Sequence, residues 1–305
     1  MDVSVIIVNY NTSKQLCEAV ESVLTHTEAV DYEIIVVDNA SQDNSQQIVS
    51  EKFGSRVRFL ALQENIGFGR ANNEGIKSAK GRNIFLLNPD TILINNAVKI
   101  LSDYLDQHTD TAIVGGNLYD INMSPAYSYR RFLPSVLWEL NDLFSAFPER
   151  FVYKKNAYFN HTDKPLEVAY ITGADLMIPK NIIEKIGYFD PSFFLFFEET
   201  DLAFRVSKTG FRIKSIPQAG IQHKEGSSFT LKNYQTEQYF RGKMCYYYKN
   251  VSYFSLCLIH LISKITIYSR IIAFTILSNR SKLNNWKIIL NAYTGLNYKA
   301  GNTRQ

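Results

Sequence analysis

The first hundred residues predict a doubly wound, largely parallel α/β sheet, and three observations carry that reading. Apolar runs recur at 3–8 (Val-Ser-Val-Ile-Ile-Val), 33–37 and 84–87, close to continuous rather than alternating with polar residues, as in strands covered on both faces. Each of the first two runs leads through a polar turn into apolar residues at helical spacing, the pattern of βαβ units. The runs end abruptly at side chains with chemistry to offer: Asn9 and Asn11, Asp38, and Asn88-Pro89-Asp90. In open α/β sheets that carboxyl edge is where ligands bind.

Taken in order, the strand at 3–8 is followed by Thr12, placed to cap a helix bearing Leu16, Val20, Val23 and Leu24. The strand at 33–37 leads through the polar turn 38–43 into a helix ending near Phe53. A third strand at 57–62 and a third helix at 68–79 precede the pivot strand. There Pro89 stops ladder pairing and holds Asn88 extended, delivering Asp90 at the end of a core strand. As an isolated triplet, Asn88, Pro89 and Asp90 would equally make an ordinary turn.

A helix over 95–108 and a short strand at 112–116 follow. The span 117–165 is dense in aromatics without clean periodicity and reads as an insertion beside an acceptor site. Beyond it come a strand at 167–171 closing at Thr172, Gly173, Ala174 and Asp175, and a short helix at 180–186. An apolar run at 193–197 is closed by Glu198, Glu199, Thr200 and Asp201, ahead of a helix carrying Leu202 and Val206. A last strand at 211–216 and a polar loop at 222–227 complete a domain over 1–228. Residues 229–305 form a basic region, helical from Leu231 and broken near 278–279 and Gly295.

The net charge of +4 hides an asymmetry. From Ala203 onward there are 16 Lys and Arg against Glu225 and Glu237 alone. Such a tail predicts an anionic partner, and the interleaved Tyr246, Tyr247, Tyr248, Tyr253 and Phe254 favour an anionic membrane surface over nucleic acid. Lys264 and Arg270 interrupt the apolar stretch after Tyr253, so peripheral attachment is expected rather than spanning. No single apolar face is evident there, and a helical bundle meeting a partner subunit or a homo-oligomer stays open. Cys17, Cys245 and Cys257 are odd in number and scattered, as in a reducing compartment. The N-terminal residues lack a secretory pattern, so a cytoplasmic location on the inner face of the membrane is expected.

Three clusters could carry chemistry. Asp38 is placed to bond a base or ribose, or to cap its own turn. Asp90 and His223 each follow a predicted strand on one edge, and two such ligands suffice where phosphate oxygens complete a divalent ion's shell. Glu198, Glu199 and Asp201 emerge from an apolar wall, where a general base is partly desolvated. Asp201 is also spaced to pair with Arg205 at a helix start. The glycines at 65–69 do not follow the dinucleotide spacing, and no Walker lysine motif is present, which disfavours a nicotinamide enzyme and a P-loop NTPase.

As a set, the segments at 3–11, 36–43, 65–75, 86–90, 172–174, 197–202 and 223–227 resemble the inverting family 2 glycosyltransferases, in their order and spacing. The rhamnosyltransferase-like branch, which builds bacterial surface polysaccharides, is the nearest in pattern. The resemblance implies a GT-A-type Rossmann-like mixed sheet followed by C-terminal helices. It implies Mg²⁺ or Mn²⁺ on Asp90 and His223, Glu199 as base, and Asp38 at the nucleotide base with Asn9 and Asn11. Asn65, Gly67, Arg70, Asn73, Asn88, Gly173 and Ala174 would line the nucleotide sugar. Asn88 stands where the family has the first acid of Asp-x-Asp, and Glu199 where it usually has an aspartate. The implied reaction moves a sugar from a nucleotide-diphosphate donor to a glycan or lipid-linked acceptor. A sugar-nucleotide pyrophosphorylase and a catalytically silent sugar-nucleotide-binding protein are the alternatives.

Overall fold

The computed structural model describes residues 1–224 and 232–300, without the side chains of 232 and 296–300. Glu225, Gly226 and Ser227 of the polar loop, and the expected boundary at 228, lie outside the described residues. The chain divides into two compact units. The first holds residues 1–132, 155–194 and 198–228, and the second holds 133–154, 195–197 and 229–305.

The first unit is built on a nine-stranded mixed sheet. β1 (Val3–Asn9), α1 (Ser13–His26), β2 (Tyr32–Asp38), α2 (Ser45–Phe53), β3 (Val57–Ala61), α3 (Phe68–Ser78) and β4 (Asn83–Leu87) alternate as the apolar runs require. β1 lies between β2 and β4, parallel to both, in a register that sets Asn9 opposite Asp38. All seven β1 residues are buried, which is why the run is continuous rather than alternating.

Past β4 the sheet becomes mixed. β5 (Thr91–Leu93), α4 (Ala97–Gln107), β6 (Thr111–Tyr119) and β7 (Tyr129–Arg130) follow, and later β8 (Leu166–Glu167), β9 (Tyr170–Ile171), β10 (Asp175–Pro179), α7 (Lys180–Ile186), α8 (Glu198–Ser207) and β11 (Arg212–His223). β10 inserts antiparallel between β4 and β6, β11 runs parallel to β6, and β5 pairs antiparallel with β11. The single strand expected at 167–171 is two. Val168 N–H donates to Ile213 and Ala169 N–H to Arg130, so the chain crosses there from β11 to β7. The strand expected to end at 216 runs on to His223, with a register shift between Ser215 and Gly220 around Pro217, which has no N–H to give the ladder.

Thr12 does not cap α1. Its hydroxyl donates to Asn9 Oδ1 at 2.7 Å, and the Ser13 N–H is taken by Asp43 Oδ2 at 3.0 Å. Burial pushes the Asp43 carboxyl up, but hydrogen bonds from Ser45 and Ser13 outweigh it and leave the group below the usual aspartate value.

The second unit contains α5 (Val136–Leu143), α6 (Phe147–Tyr153), α9 (Lys232–Asn250), α10 (Tyr253–Ile276) and α11 (Arg280–Ala300). Residues 133–154, read from sequence within the insertion 117–165, thus group with the C-terminal helices. At the centre of this unit the Glu139 carboxylate accepts from Lys243 Nζ (2.6 Å), Tyr247 Oη (2.6 Å) and Ser263 Oγ (2.7 Å), joining α5, α9 and α10. Tyr246 and Tyr247, counted from sequence toward a membrane surface, are fully buried here instead. The Tyr246 ring packs on Phe197 and the Tyr247 hydroxyl satisfies Glu139. α10 is a continuous 24-residue helix, long and apolar enough by length and composition to cross a membrane.

Candidate functional site

Five pieces of chain arrive at the carboxyl edge of the sheet, all within the first unit. Asn9 ends β1 and Asp38 ends β2. Asn88 to Asp90 follow β4, Gly173 and Ala174 enter the antiparallel β10, and His223 ends β11. Asp175 faces Leu87 in register, and the Asn88 N–H donates to Ala174 O at 3.0 Å, so the 172–174 turn is locked against the Asn-Pro-Asp turn. Asn88 O in turn accepts from the Thr91 N–H and hydroxyl.

Asp90 and His223 meet. His223 pairs with Thr91 across the β5–β11 ladder, and the Lys224 N–H donates to Asp90 O at 2.9 Å. Asp90 Oδ1 then lies 3.3 Å from His223 Nε2, well inside the approach of about 5 Å that a shared divalent ion requires. One carboxylate and one imidazole form a donor set suited to Mg²⁺ or Mn²⁺ when phosphate and water supply the rest. In the same turn Asn88 Oδ1 is buried with no hydrogen-bond partner among the described residues, a third donor that fits a cation. No group of three or more His, Cys, Asp and Glu placed to hold a metal ion occurs among the described residues. Lys224, which sequence reasoning passed over, ties the segment after β11 to α1 through Glu18 at 2.6 Å.

Asp38 is held rather than free-swinging. Oδ1 accepts from Asn9 Nδ2 at 2.7 Å and Oδ2 from the Ser41 N–H at 2.9 Å. It therefore does cap its own turn, while its remaining lone pairs stay at the strand end. Asn9 is committed inward: Nδ2 also reaches Ser41 and Ser45, and Oδ1 takes the Thr12 hydroxyl. Its role in this geometry is to set Asp38. Asn11 sits exposed with left-handed backbone (φ 55°), which asparagine tolerates, and accepts from the Gln42 N–H.

Asn39 was not singled out from the sequence, yet it joins two loops of the site. Its Nδ2 donates to Asn65 Oδ1, its Oδ1 accepts from the Ile66 N–H, and Asn65 Oδ1 also accepts from the Gly67 N–H. Gly67 has φ 90°, and a Cβ there would fall 2.5 Å from Phe194 O, so glycine is required by conformation and by space. Arg70 and Asn73 do not converge with Asp38 or Asp90. Arg70 Nε and Nη2 donate to Pro191 O, and Asn73 makes paired bonds to the Phe189 backbone. With Arg205 they line a cavity of about 600 Å³ to which Asp38, Asp90, Glu199 and His223 contribute nothing.

Glu198, Glu199 and Asp201 all fall in the first turn of α8. Asp201 pairs with Arg205 at 2.9 Å as its spacing implied, and Arg205 also holds the carbonyls of Ile186, Gly187 and Tyr188. Helical geometry separates the adjacent Glu198 and Glu199. Glu198 turns inward beside Gly69 at 3% exposure, and its Oε2 has no hydrogen-bond partner among the described residues. Burial, then the neighbouring Glu199 charge, push the Glu198 carboxyl well above its ordinary value. Glu199 is half-buried next to Gly173, where a Cβ would lie 3.8 Å from Glu199 Cγ. Ahead of α8, Phe196 (φ 69°) and Phe197 (φ 72°) both keep left-handed backbone, a strain that bulky residues hold only where something is gained.

Asp175 is a further buried acid at this edge. Oδ2 accepts from the Gly116 N–H at 2.5 Å, and Oδ1 has no hydrogen-bond partner among the described residues. Burial raises its carboxyl well above the usual aspartate value against that one hydrogen bond.

Comparison with known proteins follows the same outline. The model for glycosyl transferase family 2 matches residues 4–186, and that for glycosyl transferase family group 2 matches residues 134–296. Glycosyltransferase GlyG of Streptococcus pneumoniae serotype 4 is 36% identical over 129 residues, 42% of this chain and 42% of its own. Poly(ribitol-phosphate) β-N-acetylglucosaminyltransferase TarP of Staphylococcus aureus is 34% identical over 116 residues, 37% of this chain and 36% of its own. The matches thus span about two fifths of these relatives. Among solved structures, GalNAc-T7 with UDP, GalNAc and Mn²⁺ superposes with a TM-score of 0.60 at 17% identity, over 79% of this chain and 47% of that one. That likeness carries the fold.

Proposed function

Because this chain belongs to glycosyl transferase family 2, we propose that it is a metal-dependent, inverting glycosyltransferase. It moves a sugar from a nucleotide-diphosphate donor to a hydroxyl of a glycan or lipid-linked acceptor in surface-polysaccharide synthesis. The observation that carries this reading is the 3.3 Å approach of Asp90 to His223 at the sheet edge that also presents Gly173 beside Glu199. The UDP, GalNAc and Mn²⁺ of the GalNAc-T7 structure support a sugar-nucleotide donor and a divalent ion, and the β-N-acetylglucosaminyl transfer of TarP supports sugar transfer.

In this mechanism Asp38 bonds the nucleotide base, oriented by Asn9, and Asn11 borders the same pocket. Asp90 and His223, with Asn88 Oδ1, would hold Mg²⁺ or Mn²⁺, which when bound offsets the charge developing on the leaving diphosphate. Gly173 and Ala174 leave room for the sugar next to Glu199. Glu199 takes the proton of the acceptor hydroxyl as that oxygen bonds the anomeric carbon. The bond to the diphosphate breaks on the opposite face, and its electron pair leaves with the diphosphate. One base suffices, because no covalent enzyme intermediate forms. The N-terminus of α8 favours the ionised form that a base needs before it acts. Glu198 turns inward beside Gly69, away from that position.

The test is nucleoside diphosphate release from a panel of nucleotide sugars, with and without acceptor and with Mn²⁺ or chelator. Acceptor- and metal-dependent release is expected. Pyrophosphate release would instead identify a pyrophosphorylase, and donor binding without any release would identify a silent binding protein.

A further inference from the structure

We infer that the second unit docks on an anionic lipid surface through one face of α10, which lies in the interface rather than crossing it. α10 is apolar on two sides. Leu256, Ile259, Ile262 and Ile267 are buried within the unit. On the other side Phe254, Leu261, Ile265, Tyr268, Ile272 and Ile276 recur at spacings of seven, four, three, four and four. At about 100° per residue they fall within roughly 80° of one another. All six are exposed, from 47% at Ile265 to 77% at Ile276. Scattered exposed apolar residues need no explanation, but a contiguous stripe of this length marks an interaction surface. On the opposite side of α10, about 160° from Phe254, Arg270 donates to Leu143 O and Ser145 Oγ and holds the α5–α6 turn there.

Charge selects the occupant. From Tyr253 to the end of the chain there are seven Lys and Arg and no Asp or Glu. Lys264 is exposed at the flank of the stripe, where its stem lies along apolar surface while the ammonium reaches phosphate. Arg280, Lys282 and Lys287 are exposed on α11. A second copy of this chain would bring like charge to like charge, whereas an anionic headgroup layer complements it. Crossing the bilayer would put Lys264, halfway along the helix, into hydrocarbon, and beside it Ser263 binds the buried Glu139.

The inference rests on the proposed function only for the lipid-linked acceptor, so binding is read without donor or turnover. The full-length chain is sedimented with phosphatidylcholine vesicles, with and without phosphatidylglycerol. Binding to the acidic vesicles is expected, weakening as salt rises. Ile265→Asp with Ile272→Asp should lower partitioning at least about tenfold, with melting and donor binding unchanged. Tyr268→Trp fluorescence should be quenched by brominated acyl chains. Undiminished binding by the double variant would overturn the inference. So would retention after an alkaline carbonate wash, which signals a spanning helix. A soluble dimer that the double variant splits, without vesicle binding, would place a second copy on this face instead.

Discussion

The Glu139 cluster of the helical unit and the carboxyl edge of the sheet bury polar oxygens in opposite ways. In the helical unit Glu139 has its charge met by Lys243 and both oxygens hydrogen-bonded, by Lys243 and Tyr247 on one and Ser263 on the other. In the sheet unit Asn88 Oδ1, Asp175 Oδ1 and Glu198 Oε2 are buried without a hydrogen-bond partner among the described residues. A buried oxygen left unmet costs about 1–3 kcal/mol. A fold that keeps three near one edge of a sheet is arranged for more than its own stability, whereas the Glu139 cluster is complete as it stands. Polar burial that closes on itself is read as architecture, and polar burial left open as a site.

The largest effect is expected where the open edge does chemistry. Glu199→Gln keeps size and removes basicity, so turnover should fall by about 10²–10⁴-fold while donor affinity holds. Glu198→Gln should cost much less, since Glu198 is buried beside Gly69 rather than presented with Gly173. Steady-state kinetics at saturating donor and acceptor decide it, and near-normal turnover of Glu199→Gln would move the base to Glu198 or Asp201.

The closed cluster should answer in stability instead. Burial pushes the Glu139 carboxyl up, but Lys243 and the hydrogen bonds from Lys243, Tyr247 and Ser263 outweigh it and lower it overall. That contribution is present above the unfolded carboxylate pKa, about 4.3, and is lost as pH falls through the lower folded value. Lys243, raised by Glu139 despite burial, contributes below its unfolded pKa of about 10.4 and loses this as pH rises through its higher folded value. Glu139→Gln should cost about 3–5 kcal/mol at neutral pH, with Asp142 at 3.6 Å recovering part, and flatten the acid limb of a denaturation profile. An unchanged acid limb would break the contrast between the units.

Asp38 lies between the two cases, since it caps its turn and also ends a strand. Asp38→Asn should raise the donor KM roughly tenfold with kcat little changed, as for a lost charged hydrogen bond. A KM that stays put would leave Asp38 with the turn alone. The smallest effect is expected at Glu18 and Lys224. Their half-exposed pair should be worth no more than about 1 kcal/mol in a double-mutant cycle on melting.

How legible these features are in sequence follows from burial. β1, β2 and β4 are covered on both faces, so their apolar runs could be read directly. β10 could not: five residues beginning at Asp175 and ending at Pro179 look like the tail of the run before them, yet they fill the sheet's centre. β5 is three residues long and carries no period at all. The stripe on α10 was hidden because the opposite face is apolar too, and a helix apolar all round shows no contrast. The meeting of Asp90 with His223 was legible from their shared place after strands, and Glu199 was singled out through the resemblance. The Asn39–Asn65 interlock was not, because asparagine in a loop reads as turn chemistry until its partner is known.

The most direct measurement of the central claim is Mn²⁺-dependent binding of nucleoside diphosphate by Asp90→Asn, titrated calorimetrically beside the parent chain and melted in parallel. If the open edge is a site, Asp90→Asn loses Mn²⁺-dependent affinity by at least about tenfold while its melting temperature stays within a few degrees of the parent. Unchanged Mn²⁺-dependent binding, or a collapse in melting like that expected of Glu139→Gln, would show that Asp90 and His223 close on each other as architecture and that the site lies elsewhere.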